Sequence, residues 1–178
     1  MNASISIFNT ILALGICGIL LFTILLLLSR FIRAPFISWL SNFVGKNRVI
    51  ISLALVSSAT LISLFYSDVI GYPPCKLCWL QRIFFYSQVV LFATALIKRL
   101  PTRDVLMYGF NLSVIGFIIA LYHTFITFTG INPLPCGVDV SCTTRYVMEF
   151  GFITIPTMSL VVFTALLAIA KHPRRETL

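Results

Sequence analysis

Residues 73–97 read PPCKLCWLQRIFFYSQVVLFATALI, in which two prolines and a Cys-x-x-Cys precede an apolar run long enough to cross a bilayer. The prolines end any preceding helix, so a new helix is expected to begin near Cys78. The two cysteines then lie at its N-terminus. This stretch therefore predicts a transmembrane helix that carries a pair of thiols at one end.

Four other apolar runs are of similar length. The five runs are Ile5–Ser29, Val49–Ser67, Trp79–Ile97, Tyr108–Phe128 and Phe150–Ala170. Of the 178 residues, 59% are hydrophobic and 10% are charged, and a water-soluble domain of this size cannot bury so much apolar surface. We predict an all-α membrane protein, a four-helix transmembrane bundle with one additional N-terminal transmembrane helix.

Basic residues orient the predicted helices. The net charge of +8 comes from short clusters between apolar runs and not from one soluble face, which argues against nucleic-acid binding. Ten of the thirteen basic residues follow the first, third and fifth runs, and they are Arg30, Arg33, Lys46, Arg48, Lys98, Arg99, Arg103, Lys171, Arg174 and Arg175. The positive-inside rule then predicts an N-terminus outside and a C-terminus in the cytoplasm.

With this orientation, the loops Asp68–Cys78 and Thr129–Glu149 face outward, and they contain all four paired cysteines. The outward side is the oxidising compartment, in which disulfides persist. Both pairs lie on the same side of the membrane, so they are positioned to exchange electrons. The pattern is typical of a membrane thiol–disulfide enzyme.

The N-terminal part of the chain is expected to be a retained helix, because it lacks the basic segment and cleavage site of a signal peptide. Cys17, in the middle of this run, is interpreted as a small hydrophobic residue. The connector Arg30–Arg48 mixes aromatic and basic residues, which suits either an interfacial segment or a solvated linker. We divide the chain into residues 1–48, the bundle 49–171 and a short basic tail 172–178.

The Cys-x-x-Cys has a physical reason to be reactive. Amides at a helix N-terminus stabilise a thiolate, which is the nucleophilic form of cysteine. Lys76 lies between Cys75 and Cys78, and Arg82 lies one turn further along on the Cys78 face. An arginine at that depth suggests a thiolate or ligand oxygen as its partner, although snorkelling to the headgroups is the alternative.

Other interpretations of the cysteines remain open. The spacing from Cys136 to Cys142 is compatible with a redox pair or with an ordinary loop staple. Two pairs of thiols are also compatible with a zinc site, which we disfavour because an outward site is prone to oxidation. A bundle without enzymatic activity, whose outer loops are stapled for assembly or partner binding, is a further alternative.

Several polar residues fall within or beside the runs. Gln81 and Gln88 are expected to form hydrogen bonds between helices, and His123 is expected to be a hydrogen-bonded residue near the outer end of the fourth helix. Glu149 is placed at the start of the last helix. Pro156 is expected to kink that helix about a turn and a half from its start.

Three motifs carry a resemblance to a known family. They are Pro74–Ile83 (PCKLCWLQRI), Leu134-Pro135-Cys136 through Cys142, and Phe150–Pro156 (FGFITIP). Their order and spacing closely resemble the DsbB/BdbC family of bacterial disulfide-bond formation proteins, over about Val49–Lys171. The run Ile5–Ser29 lies outside the four-helix core of that family.

The resemblance implies a thiol:quinone oxidoreductase of the bacterial cytoplasmic membrane. Such an enzyme reoxidises an extracytoplasmic thioredoxin-like oxidase of the DsbA type and passes the electrons to ubiquinone or menaquinone. It implies that Cys136 forms the mixed disulfide with the partner and that Cys142 is its redox mate. It further implies that Cys75 and Cys78 pass electrons onward, with Cys78 and Arg82 at the quinone.

His123 is similar in position to a histidine near the quinone in some members of the family. The vitamin K epoxide reductase family, which also combines a four-helix bundle, two cysteine pairs and a quinone, is a more distant resemblance. In that family the loop pair precedes the Cys-x-x-Cys, whereas here the Cys-x-x-Cys comes first.

Overall fold

A computed structural model describes residues 3–29, 35–131 and 141–172. These residues form five α-helices and a single π-helical turn. The helices are α1 (Ala3–Leu28), α2 (Pro35–Leu64), α3 (Lys76–Lys98), α4 (Thr102–Thr129) and α5 (Ile155–Ala170), and the π-helical turn Phe65–Val69 extends α2. The described part of the chain contains no β-strand beyond one isolated bridge.

Four helices are long and apolar enough to cross a membrane, namely α1, α2 with its π-helical turn, α3 and α4. Helix α5 is shorter, with 16 residues, or about 24 Å of helix. It packs mainly on α4, and it also contacts α1 and α2. The all-α multi-pass fold is therefore confirmed.

The bundle is a ring in which α3 packs between α2 and α4, and α5 packs between α4 and α2. At its centre the rings of Phe85 and Phe163 stack 4.3 Å apart. Two glycines of α4 allow close helix packing, because a Cβ at Gly109 or Gly116 would overlap the ring of Phe92 or Phe163. Small residues serve this purpose widely in membrane helices, where close van der Waals packing replaces the hydrophobic effect.

The connector is helical where it is described, because α2 begins at Pro35 and changes direction at the non-helical Asn47. The interpretation of this segment as a solvated linker is therefore wrong from Pro35 onward. Phe36, Trp39 and Phe43 are exposed on one face and stack on one another, as an interfacial segment requires. At the same end of the bundle, Arg48 donates a hydrogen bond of 2.9 Å to the carbonyl of His172 after α5.

Two expectations about the last helix are wrong. Thr154 caps α5 with a capping box, so the helix begins at Ile155, and Pro156 occupies its first turn instead of kinking it. Glu149 does not begin the helix; it pairs with Ile153 across a tight turn. Hydropathy does not locate the start of this helix, because the turn before it carries the apolar Phe150, Phe152 and Ile153.

Candidate active site

Cys75 and Cys78 lie at the N-terminus of α3, as the sequence predicts. Cys75 is the N-cap residue, and its Sγ accepts a hydrogen bond of 3.3 Å from the backbone N–H of Cys78. Both cysteines are free thiols, with their Sγ atoms 2.9 Å apart. Cysteine replaces the usual Ser, Thr or Asp cap, so the helix terminus presents its amides to a sulfur atom.

The surroundings of Cys75 favour its thiolate. The pKa of this thiol lies well below its ordinary range, chiefly because the Cys78 side chain donates a hydrogen bond to it. Burial opposes the shift, whereas the hydrogen bond from His123 and the Cys78 amide add to it. The protein thus lowers the pKa of the first thiol of the pair.

His123 of α4 is buried, with 3% of its surface exposed, and it lies against the thiols. Its Nε2 is 3.7 Å from Cys75 Sγ and 3.1 Å from the carbonyl oxygen of Cys142, while its Nδ1 is 3.0 Å from Nε2 of Gln81. Because the Gln81 amide donates to Nδ1, the ring proton belongs on Nε2, from which it reaches the carbonyl and the sulfur. The expected interhelical bond of Gln81 is confirmed, and Gln88 forms another with Ser113.

Cys142 joins this site from the loop between α4 and α5. It is disulfide-bonded and 2% exposed, and it lines one small pocket of about 30 Å³ together with Cys75, Cys78 and His123. That volume holds one or two waters and excludes a quinone ring. Cys136 lies outside the described residues. The fold therefore brings a disulfide-bonded cysteine of the second pair to the free thiols of the first.

Arg145 anchors the loop that carries Cys142. Its guanidinium donates to the carbonyl of Thr127 through Nε (3.0 Å) and a terminal nitrogen (2.7 Å), at the C-terminal end of α4. A cation is stabilised at this end of a helix, where backbone carbonyls lack hydrogen-bond partners. Arg145 was not singled out from the sequence, although its position as the only basic residue of the loop Thr129–Glu149 was a usable signal.

Three stacked tyrosines also hold the two cysteine loops. Tyr72, before the Cys-x-x-Cys, stacks on Tyr146 at 4.7 Å and on Tyr66 at 6.0 Å. Tyr146 lies four residues after Cys142, so the stack joins the two cysteine loops to the end of α2. Sequence reasoning did not find this stack, because nothing in the spacing of the three tyrosines relates them.

Arg82 is buried, with 5% of its surface exposed, so its head does not snorkel to the surface. It donates to Ser63 of α2 twice, from Nε to Oγ (2.8 Å) and from a terminal nitrogen to the carbonyl oxygen (2.7 Å), and it lies over the ring of Trp79. The π-helical turn begins two residues after Ser63, and such a change of register leaves carbonyls available to other donors. Ser63 is a second site residue that the sequence analysis missed.

A larger cavity of about 390 Å³ lies among α1, α2 and α5. Its lining is apolar apart from Tyr66 and three serines, of which Ser63 is the one bound by Arg82. Ile155 lines both this cavity and the small thiol pocket, so it separates the two. Cys78, Arg82 and His123 do not line the larger cavity.

The side chains of Cys75, Cys78 and His123 offer ligand atoms within 4.8 Å of one another, a spacing that a metal ion tolerates. The four-thiolate zinc site considered from the sequence would need Cys142, whose sulfur is disulfide-bonded. The buried hydrogen bonds of His123 to Gln81 and Cys142 give this histidine a role without a metal.

The family model for disulfide bond formation protein DsbB matches residues 46–172. The chain belongs to the DsbB family. It is similar to the probable disulfide formation protein C 2 of Bacillus cereus, with 37% identity over 127 residues, which cover 71% of this chain and 90% of that protein. It is also similar to the SPbeta prophage-derived disulfide bond formation protein B of Bacillus subtilis, with 38% identity over 62% of this chain and 74% of that one. No solved structure matches the chain significantly.

DsbB-family membership makes this a multi-pass membrane protein of disulfide-bond formation. The matched region runs from the Asn47 break in α2 to just past the end of α5, and it contains the cysteines, His123, Arg82 and Arg145. Helix α1 lies outside it.

Proposed function

We propose that the protein is a thiol:quinone oxidoreductase that reoxidises an extracytoplasmic thioredoxin-like oxidase of the DsbA type. In the reaction, a dithiol of the partner becomes a disulfide, and its two electrons and two protons pass through the two cysteine pairs to a quinone, which leaves as a quinol. The observation that carries the proposal is the convergence of free Cys75 and Cys78 with disulfide-bonded Cys142 in one pocket.

The two pairs have different tasks in this proposal. The partner thiolate attacks Cys136, which forms a mixed disulfide and releases Cys142. The second partner thiol then resolves the mixed disulfide, leaving Cys136 and Cys142 reduced. They are reoxidised by exchange with a disulfide between Cys75 and Cys78, and this exchange leaves the first pair reduced. The burial of Cys142 beside the first pair supports that exchange.

Residues around Cys75 stabilise the thiolate that this chemistry needs. Cys75 caps α3, and His123 Nε2 directs its proton toward the sulfur. A thiolate held by these donors is the reactive form in exchange, and it is also the better leaving group. Gln81 fixes the orientation of the imidazole from the opposite side.

A quinone, ubiquinone or menaquinone, supplies a two-electron acceptor that diffuses in the membrane. The residues present fit such a group, because the cavity of about 390 Å³ is apolar and has a polar position at Ser63. Arg82 does not line the cavity, but it donates to Ser63 and lies one turn after Cys78, so Ser63 and Arg82 would hold a quinone ring at this end of the cavity. His123 is similar in position to a histidine near the quinone in some members of the family, and its place near the quinone stays a prediction.

We further propose that the protein lies in the bacterial cytoplasmic membrane with its cysteine loops on the extracytoplasmic face. The distribution of Lys and Arg supports this orientation, because the basic clusters occupy alternate connections between helices. The partner would then meet the loops in the compartment where it works.

The test is anaerobic mixing of the purified, detergent-solubilised protein with a reduced DsbA-type partner and a quinone, followed through quinone absorbance. We expect stoichiometric quinol and oxidised partner. A Cys75→Ser/Cys78→Ser variant is the control, because it keeps the second pair. If the parent protein forms no quinol at any partner concentration, the non-enzymatic bundle with stapled loops is the correct interpretation.

A further inference from the structure

Helix α1 lies outside the region shared with the DsbB family, yet it forms one wall of the larger cavity. It packs mainly on α5 and also contacts α2, and it presents Leu12, Gly15, Ile16 and Ile19 to the cavity. Without α1, the lining residues of α2 and α5 would face lipid on this side. The helix therefore covers a groove of the four-helix core on one side, and the resulting cavity stays partly open, since its lining residues Gly15 and Ile50 are exposed.

We propose that α1 encloses the isoprenoid tail of the bound quinone and so forms part of the quinone site, an inference that rests on the function proposed above. The cavity follows α2 from Ile50 to Tyr66, or about 24 Å of helix. Most of this length is lined by aliphatic side chains, and Ser63, which Arg82 binds, lies near the outer end. A long apolar space with a polar outer end suits a polar ring joined to a hydrocarbon tail.

The position of α1 against the cavity is specified by contacts at both of its ends. Near the outer end, the hydroxyl of Tyr66 donates a buried hydrogen bond of 2.8 Å to Oδ1 of Asn9. A buried amide in a bilayer is costly unless it is paired, so this bond favours one register of α1 on α2. Near the inner end, Leu26 packs with Val44 and Ile169.

Two glycines of α1 provide a matched pair of test positions. A Cβ at Gly15 or at Gly18 would meet no heavy atom within 4 Å, so both positions have room for a side chain. Gly15 lines the cavity, whereas Gly18 does not. A Gly15→Leu side chain therefore projects into the cavity, and Gly18→Leu makes the same chemical change on the same helix away from it.

The experiment measures equilibrium binding of two quinones to the purified parent, Gly15→Leu and Gly18→Leu proteins. One quinone carries a decyl tail, and the other has the same ring without a tail. We expect Gly15→Leu to bind the tailed quinone about tenfold more weakly, the effect of about two methylene groups of lost burial. Its affinity for the tail-free quinone should not change, and Gly18→Leu should bind both as the parent does.

Equal affinity of Gly15→Leu and the parent for the tailed quinone would overturn the inference, and this result is expected if phospholipid acyl chains fill the cavity. A parent protein that binds and reduces no quinone would instead overturn the proposed function. A second measurement needs no variant: a quinone with a photoreactive group on its tail should label the peptide that contains Leu12–Ile19 in the parent protein. Labelling confined to other helices contradicts the role of α1.

Discussion

At the scale of single residues, the two thiols of the Cys-x-x-Cys have unequal surroundings. Cys75 caps the helix and faces His123, whereas Cys78 lies in the first turn of α3, on the side that leads to Arg82. A sulfur atom at an N-cap lies beside unpaired backbone amides and the positive end of the helix dipole. Both stabilise a thiolate more than a thiol. The proposed division follows from this asymmetry, with Cys75 toward the second pair and Cys78 toward the quinone.

The pH dependence of the Cys75 thiolate is the first prediction. Because its pKa is lowered in the folded protein, the thiolate stabilises the fold above the ordinary thiol pKa, and this stabilisation is lost as pH falls through the lowered value. His123→Ala should raise the pKa by about one unit, since the hydrogen bond from Nε2 to the sulfur is removed. The pKa is measured from the ultraviolet absorbance of the thiolate in the reduced protein as a function of pH, and Cys75→Ser is the blank. If His123→Ala titrates as the parent protein does, His123 does not lower the pKa of Cys75.

The second prediction concerns Arg82. Arg82→Ala should slow quinone reduction far more than thiol exchange with the partner, because only quinone reduction develops negative charge on the ligand oxygen. The loss should appear mainly as a raised apparent quinone KM, of about tenfold to a hundredfold for one lost charged hydrogen bond. Arg82→Lys should recover part of the activity, since it keeps the charge but loses the fork that holds Ser63. If Arg82→Ala shows the kinetics of the parent protein, the quinone site lies elsewhere.

The third prediction concerns the division of labour between the pairs. Cys142→Ser leaves Cys136 without its mate, so Cys136 should remain a free thiol that traps an oxidised partner as a mixed disulfide. Non-reducing electrophoresis after mixing with the oxidised partner measures the trapped complex. If Cys75→Ser or Cys78→Ser traps the partner and Cys142→Ser does not, the pairs are assigned in the wrong order.

At the scale of secondary-structure elements, the site depends on how the second loop is attached to the end of α4. Arg145 makes two hydrogen bonds to one carbonyl, and Tyr146, next in sequence, stacks on Tyr72 of the first loop. Hydrogen bonds of charged groups contribute about 1.5–3 kcal/mol each, more than most loop contacts. This attachment keeps Cys142 beside the thiols of α3.

The fourth prediction is that Arg145→Ala slows transfer between the two cysteine pairs and leaves the quinone affinity unchanged. The loop loses its anchor on Thr127, so Cys142 spends less time beside the first pair. Stopped-flow oxidation of the reduced second pair and hydrogen exchange of the loop amides measure the two effects. Arg145→Lys is the control, and it should restore the rate only in part, because a lysine cannot form the same paired contact. Unchanged exchange and rates would show that the tyrosine stack alone holds the loop.

At the scale of the whole molecule, the helices direct both cysteine loops to one end of the bundle. Helices α2 and α4 end there and α3 and α5 begin there, so consecutive helices of the four-helix core run antiparallel. The opposite end carries the basic connections and the contact of Arg48 with His172. One end is thus organised for redox chemistry, and the other is suited to an anionic membrane surface.

The fifth prediction tests the orientation of this bundle. In intact cells treated with a reductant, a thiol reagent that cannot cross the membrane should label the cysteines at 75, 78, 136 and 142. Single-cysteine variants separate the four signals, and labelling is expected to be slower at the buried Cys142. A cysteine placed at exposed Arg99 is the control, and it should react only after lysis. The reverse pattern would overturn the orientation.

Much of the fold was predictable from local sequence. The apolar runs, the break at Pro73 and Pro74 and the interhelical bonds of Gln81 and Gln88 follow from transfer energies and backbone chemistry, which act over short segments. Helix boundaries were less predictable. The last helix begins at Ile155 because Thr154 caps it, and hydropathy does not register a cap.

The sequence by itself determined that the protein spans a membrane as a helical bundle and that its first cysteine pair lies at a helix N-terminus. Only the tertiary structure decided that His123 faces Cys75, that Arg82 is held by Ser63 and that α1 walls the large cavity. Each of these contacts joins residues from different helices. Such contacts depend on the rotation and register of packed helices, which are set by side-chain fit between neighbours and leave no periodic signal in the chain.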